Sequence, residues 1–317
     1  MKMFVFVFAL LGTTLAFAGR YDPAYWRMVR KGVEAKIVLT VVDDLGSPVR
    51  DAAVHAIFSR TNDLDPLDGK TDVHGKCEFQ HLTNGNRLEF FISKDGYYGS
   101  QIRFTLIKMW SEHKIEKGCW QPCPIEKTVV LKKKRNPTSL TSGGGWYDLP
   151  GTNQWYSFDM MKNDWVKPFG NGEVADIELR YRWTGAEPLK WQEQFFDIRF
   201  LGVTFNGAYY APATTESRFA YVYHACPGAQ FVREFSDENH STIRKFGMLD
   251  GNRDMVFRIR SETNSLGRLE SCYYGRFRKL DYYLKRSGIG GASLRYEYNS
   301  VRNDTNLESK TYSGNVR

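Results

Sequence analysis

The chain has 317 residues, 42% of them apolar and 25% charged, with 28 Gly and 11 Pro. That composition excludes a disordered, collagenous or coiled-coil protein, and the length suits two domains that each bury a core. The formal net charge is +8, but much of the excess sits in one run, Lys132-Lys133-Lys134-Arg135. This distribution argues against a nucleic-acid partner and makes the run a solvated strand edge, or a weak footprint for an acidic polysaccharide or envelope surface.

In chain order, the first element is an export signal. Lys2 precedes the apolar run Met3 to Leu11 and the small-residue pattern Ala16-Phe17-Ala18, so residues 1–18 read as a signal peptide cleaved after Ala18. The run is shorter than the roughly 20 residues a membrane span needs. No later run is longer, so the expected product is exported to the periplasm or beyond with no transmembrane segment.

Residues 19–35 form an N-terminal segment in which Tyr25, Trp26 and Val29 have the spacing of one short helix. A β-branched run over Lys36 to Val42, the turn Asp43 to Pro48, and a second run with Ala52, Val54, Ala56 and Phe58 on one face follow at period two. Asp63 to Lys70 reads as an acidic loop. Further short strands over Thr71–Phe79, Leu88–Ser93, Ser100–Lys108 and Lys127–Lys132 complete an antiparallel sandwich over 36–135.

Three stretches of this half carry a family resemblance: Val41 to Val54 (with the turn Asp43-Asp44-Leu45-Gly46-Ser47-Pro48), Gly69 to Phe79 (with Thr71-Asp72-Val73-His74-Gly75), and Ile92-Ser93-Lys94-Asp95-Gly96-Tyr97. They resemble the carboxypeptidase regulatory-like, or transthyretin-like, β-sandwich domains of exported bacterial proteins. The resemblance covers about a third of the chain and implies an accessory module without catalytic residues.

Asn136 to Gly145 is rich in Pro, Ser and Gly and reads as the linker to a second domain over 146–317. That domain alternates plainly. Ile177, Leu179, Tyr181 and Trp183 share a face; so do Phe196, Ile198 and Phe200, then Phe219, Tyr221 and Tyr223, then Met255, Phe257 and Ile259, then Leu294, Tyr296 and Tyr298. Asp250-Gly251 is a hairpin signal. Gly288-Ile289-Gly290-Gly291 precedes a strand and reads as a turn rather than a phosphate cradle. The predicted fold is all-β, two antiparallel sandwiches or a sandwich and a jelly-roll. Asp164 to Gly172 is similar to segments of uncharacterised exported bacterial proteins.

Five cysteines make at least one thiol free. Pairing within each half gives Cys119–Cys123 and Cys226–Cys272 and leaves Cys77 alone, although four paired cysteines allow three connectivities. His74, Cys77 and His81 have the residue types of a zinc site, but period two keeps them from converging. Asp63, Asp65, Asp68 and Asp72 crowd one stretch and form a calcium candidate. However, His74 stands where a calcium loop of the EF-hand type requires a bidentate Glu.

Nucleophile, metalloprotease and phosphate-loop motifs are absent, and nothing calls for a cofactor. Glu173, Asp176, Glu193 and Asp197 are the acids available to a glycan-active hydrolase or lyase, the competing reading. Trp146, Tyr147, Trp155, Tyr156 and Trp165 cluster at the start of the second domain. They stack on a glycan or anchor an envelope or extracellular protein, or else they close the core between the two domains. The expected function is therefore binding or structural.

Overall fold

The structure is a computed structural model. It describes residues 23–60, 63–85, 87–106, 115–184, 193–212, 217, 219–240, 245–247, 253–285 and 288–310. The signal peptide and the Asp250-Gly251 hairpin signal lie outside the described residues. Among those residues the chain is almost entirely β, with one helix, and none is long and apolar enough to cross a membrane.

Two compact units divide the chain. The first comprises residues up to 41, 48–91 and 102–128; the second comprises 42–47, 92–101 and 129 onward.

The first unit opens with α1 (Pro23–Lys31), where Pro sits at the first helical position because its missing N–H would have had no helical partner. The following strands are β1 (Val33–Asp43), β2 (Ala53–Arg60), β3 (Asp63–Lys70), β4 (Lys76–Thr83), β5 (Leu88–Ser93), β6 (Ser100–Phe104), β7 (Ile115–Glu116), β8 (Cys119–Trp120) and β9 (Ile125–Leu131). One sheet runs β4-β1-β8-β7 with β9 also on β1, and the other runs β3-β2-β5-β6. The period-two expectation holds: Val33, Ala35, Ile37, Leu39 and Val41 are buried along β1, as are Ala52, Val54, Ala56 and Phe58 around β2. Phe58, Phe79 and Phe90 pack edge to face or tilted among them.

The motif stretch Thr71 to Gly75 has a clear physical job. Thr71 Oγ1 accepts from Ala52 N and donates to Val49 O, while Asp72 Oδ1 accepts from the N–H groups of His74 and Lys76. Two short side chains thus satisfy the backbone of a tight turn.

Asp63–Lys70 is a correction. It forms a strand paired with β2 along its whole length, Ala53 opposite Lys70 to Arg60 opposite Asp63. Its Pro66 and Gly69 argued for a loop, but β3 is an edge strand, where a missing ladder donor is tolerated.

The second unit adds β10 (Thr141–Asp148), β11 (Tyr156–Asp159), β12 (Asp164–Trp165), β13 (Ile177–Thr184), β14 (Glu193–Phe200), β15 (Gly207–Pro212), β16 (Glu234–His240), β17 (Lys245–Gly247), β18 (Arg253–Thr263), β19 (Leu269–Leu284) and β20 (Gly290–Tyr298). The order β10-β20-β19-β18-β15, with β17 on β19, makes one sheet, here the long sheet. The order β12-β11-β13-β14-β16 makes the other, the short sheet. Their inner faces share one core that includes Phe158, Leu179, Tyr181, Phe196, Phe257, Phe277, Tyr282, Leu294 and Tyr296.

The connection expected at 136–145 ends at residue 140. Thr141 to Gly145 belong to β10 and pair with Tyr298 to Leu294 of β20. The glycines are there for space: a Cβ on Gly143 would lie 2.3 Å from the Tyr296 ring, whose hydroxyl donates to Met160 O at 2.6 Å.

Phe219 to Tyr223 is a second correction. The segment is irregular, not a strand. Its aromatic residues instead cluster with Tyr98 around cations: Lys132 Nζ and the Arg276 guanidinium both sit over the Phe219 ring.

The basic run is likewise only partly a solvated edge. Lys132 is buried and donates to Tyr221 O at 2.7 Å. Arg135 stacks on Tyr223 and pairs with Asp44.

A buried ionic hub ties the two sheets of the second unit. Arg260, at a bulge in β18 and in the left-handed region at φ 48°, donates from Nε to Asp176 Oδ1 at 2.8 Å and from Nη2 to Asp159 Oδ1 at 2.6 Å. Asp159 also accepts from the N–H groups of Met161, Lys162, Glu173 and Val174. Burial pushes its carboxyl up, but these donors and Arg260 outweigh burial and hold it below the usual carboxylate range. Asp176 accepts from one backbone N–H, that of Met160, besides Arg260, and desolvation leaves its carboxyl raised.

Cysteine pairing differs from expectation in one half. Cys119 and Cys123 are bonded, whereas Cys77, Cys226 and Cys272 are free. The reason is orientation. Cys272 points into an apolar cluster with Val256, Tyr274 and Leu307, while Cys226 is exposed. Burial raises the thiols of Cys77 and Cys272, which further suppresses their reactivity. Alkylation of the native protein should therefore label Cys226 alone, and alkylation after denaturation without reductant should label Cys77 and Cys272 as well. Peptide mass mapping reads both, and a Cys226–Cys272 bond would contradict the assignment.

Candidate functional site

Period two in β10 separates the aromatic candidates. Trp146 and Asp148 face outward from the sandwich and Tyr147 turns inward against Phe158 and Trp165. Trp146 is 59% exposed, while Tyr156 and Trp165 are 7% and 6% exposed and lie in the core. This corrects the expectation of Trp165 as a surface anchor. Trp155 is half-buried, with the guanidiniums of Arg180 and Arg199 each 4.3 Å from its ring, so cations already occupy part of its π surface. The five residues do not form one site.

Trp146 instead has partners that sequence reasoning missed. On the outer face of the long sheet, Trp146 lies opposite Ser293 of β20, which lies opposite Asp281 of β19; in the next row Asp148, Gly291 and Tyr283 stand side by side. Tyr283 lies across Gly291. A Cβ there would fall 2.2 Å from Cζ of the ring, so only glycine lets the phenol lie flat enough for its hydroxyl to donate to Asp148 Oδ1 at 2.9 Å. The Trp146 and Tyr283 rings are 5.4 Å apart and tilted by 53°. Lys279 Nζ sits 4.7 Å from the Trp146 ring centre, and Lys285 pairs with Asp148. The Lys285 and Tyr283 donors hold the Asp148 carboxyl below its ordinary range, and burial with Asp148 holds the Tyr283 phenol above its own. The result is an exposed indole beside a half-buried phenol, rimmed by a charged carboxylate and two ammonium groups. A signal did exist in the sequence: Asp281-Tyr282-Tyr283-Leu284-Lys285 alternates as a strand with Tyr283 and Lys285 on one face.

Two of the four acidic residues considered for hydrolysis are otherwise engaged, while Glu173 and Glu193 are exposed. Asp176 belongs to the buried hub. Asp197 accepts from Arg180 Nε at 2.9 Å, Arg182 Nε at 2.8 Å and Ser236 Oγ at 2.6 Å.

The calcium candidates diverge. Asp65 and Asp68 fall on opposite faces of β3, the first 3.1 Å from His81 Nε2 and the second 2.8 Å from His55 Nδ1. The Asp63 side chain lies outside the described residues. Among the described residues no three His, Cys, Asp or Glu side chains gather as a metal site.

The second unit also has an open cleft of about 590 Å³, lined by Val42, Asp43, Asp44, Gly46, Val130, Lys132, Val222 and Tyr223. Desolvation drives the Lys132 ammonium down to about 8. Its nitrogen lies over the Phe219 and Tyr223 rings and donates to Tyr221 O.

No protein-family model matches the chain, and no curated protein matches it. Solved structures overlap it in part. A DUF3823 family protein from Parabacteroides merdae is 10% identical, with 83% of this chain and 98% of that chain covered, at a TM-score of 0.21. The 3-chlorocatechol 1,2-dioxygenase of Rhodococcus opacus is 15% identical, with 33% of this chain and 62% of that chain covered, at a TM-score of 0.28. Catechol 1,2-dioxygenase from Acinetobacter is 12% identical, with 33% and 53% covered, at 0.24. The chain thus spans only 53% to 62% of the length of these two dioxygenases. Likenesses at such TM-scores carry no chemistry across.

Proposed function

We propose that the chain is an exported, non-catalytic binding module that holds a glycan on the Trp146–Tyr283 pair. The observation that carries the reading is the 59% exposure of Trp146 on a sheet face where a neighbouring tyrosine is pinned flat over a glycine. Sugar rings present apolar C–H faces that stack on aromatic surfaces, and their hydroxyls seek charged donors and acceptors at the rim; Asp148 and Lys285 supply these. The likeness of the first half to carboxypeptidase regulatory-like domains fits an accessory role beside such a module.

A glycan array followed by titration of the best ligand tests the proposal. Trp146→Ala is expected to weaken binding about tenfold or more, equivalent to about 1.4 kcal/mol, with an unchanged melting temperature because the side chain is exposed. Unaltered affinity in Trp146→Ala would overturn the assignment of the site. Release of new reducing ends from the bound glycan would instead favour the hydrolase reading.

A further inference from the structure

Resting on the glycan reading, we infer that the sugar held at Trp146 is anionic and that its carboxylate meets Arg295. The register of the long sheet places Arg295 on the same outer face, one row from Trp146: Arg295 stands opposite Gly144 of β10 and Lys279 of β19, while Trp146 stands opposite Ser293. Diagonal neighbours of this kind are about 7–8 Å apart at their backbones, within reach of a long side chain.

The charges on the face are unequal. Lys285 is paired with Asp148, and Lys279 with Asp281 at 3.2 Å. Arg295 is exposed and has no ion-pair partner among the described residues. Among the described residues of these rows, Asp148 and Asp281 each hold one lysine, and the cation left without a carboxylate, Arg295, adjoins the exposed indole. A guanidinium keeps its charge at every working pH and binds carboxylates through paired N–H donors. A sugar stacked on Trp146 with its carboxylate toward β20 satisfies both groups, whereas a neutral sugar leaves Arg295 with water alone. Among glycans, the face therefore fits a polyuronate.

De-esterified homogalacturonan and its fully methyl-esterified form share one backbone and differ in charge, so calorimetric titration with each isolates the inference. The native chain is expected to bind the de-esterified polymer at least tenfold more tightly, with affinity falling as salt rises. Arg295→Gln should lose that preference and retain the weaker binding of the ester. Trp146→Ala should weaken both. Equal binding of the two polymers, or a preference that persists in Arg295→Gln, overturns the anionic assignment while leaving the glycan reading intact. Binding of neither polymer by the native chain overturns the anionic assignment too, and absence of binding to any glycan on the array removes the reading beneath it.

Discussion

Arg260→Leu is expected to cost about 3–5 kcal/mol of stability, the usual penalty for removing one partner from a buried ion cluster. The leucine leaves two carboxylates, Asp159 and Asp176, both about 1% exposed as side chains, facing each other without their cation. One of them must take up a proton or the two sheets must part. Chemical denaturation at neutral pH measures the loss. The variant should also regain part of its stability on mild acidification, because protonation relieves the repulsion.

The native protein should do the opposite as far as Asp159 is concerned. A carboxyl held below its ordinary range in the fold stabilises above its unfolded-state value and loses that contribution as pH falls through the folded one. Asp176 has the other sign, being raised, and offsets part of the effect. Unfolding free energy that fell on acidification equally in native and Arg260→Leu protein would contradict this account of the hub.

Gly275→Val is expected to destabilise by about 2–3 kcal/mol, near the upper end of the ordinary range for overpacking. Gly275 lies on β19 between Phe257 of β18 and Tyr298 of β20. Even a single Cβ would come within 2.3 Å of Phe257 Cζ and 2.6 Å of Glu297 O. The phenyl ring is fully buried in the core of the sandwich and has no room to retreat. The backbone oxygen is fixed in the ladder. Thermal unfolding should show a clearly lower midpoint, and Gly275→Ala should fall between the two. A neutral Gly275→Val would mean that the close approach is not a constraint.

These glycines mark where the sequence stops being readable. The strand faces of Ile177 to Trp183, Phe196 to Phe200 and Met255 to Ile259 could be read because burial on one side imposes alternation within a few residues. Gly143 and Gly144 could not, because what requires glycine there is the Tyr296 ring and the Leu294 carbonyl on β20, about 150 positions along the chain, and a Gly-Ser stretch has the same composition whether it is a linker or a ladder. The Arg260 hub was hidden for the same reason, its partners being 84 and 101 residues away. At the candidate site, Trp146 was visible as an aromatic in a suggestive cluster. Its difference from Tyr147 and Trp165 depended on strand parity, which the mistaken linker obscured. Tyr283, Lys279 and Arg295 sit on strands whose neighbours only the sheet register reveals.

The interleaving of the two compact units bears on how this protein can be cut. Because the segments 42–47 and 92–101 belong to the unit that otherwise begins at residue 129, no single position in the sequence separates one unit from the other. A gene fragment starting at residue 136 would omit Tyr98, whose hydroxyl donates to the fully buried Glu308, and Lys132, whose ammonium caps Tyr221 O. Cloning the carboxy-terminal half alone would thus yield a fragment with holes in its own interior. Recombination in evolution faces the same constraint, so the pair should be inherited as one piece rather than shuffled as separate cassettes.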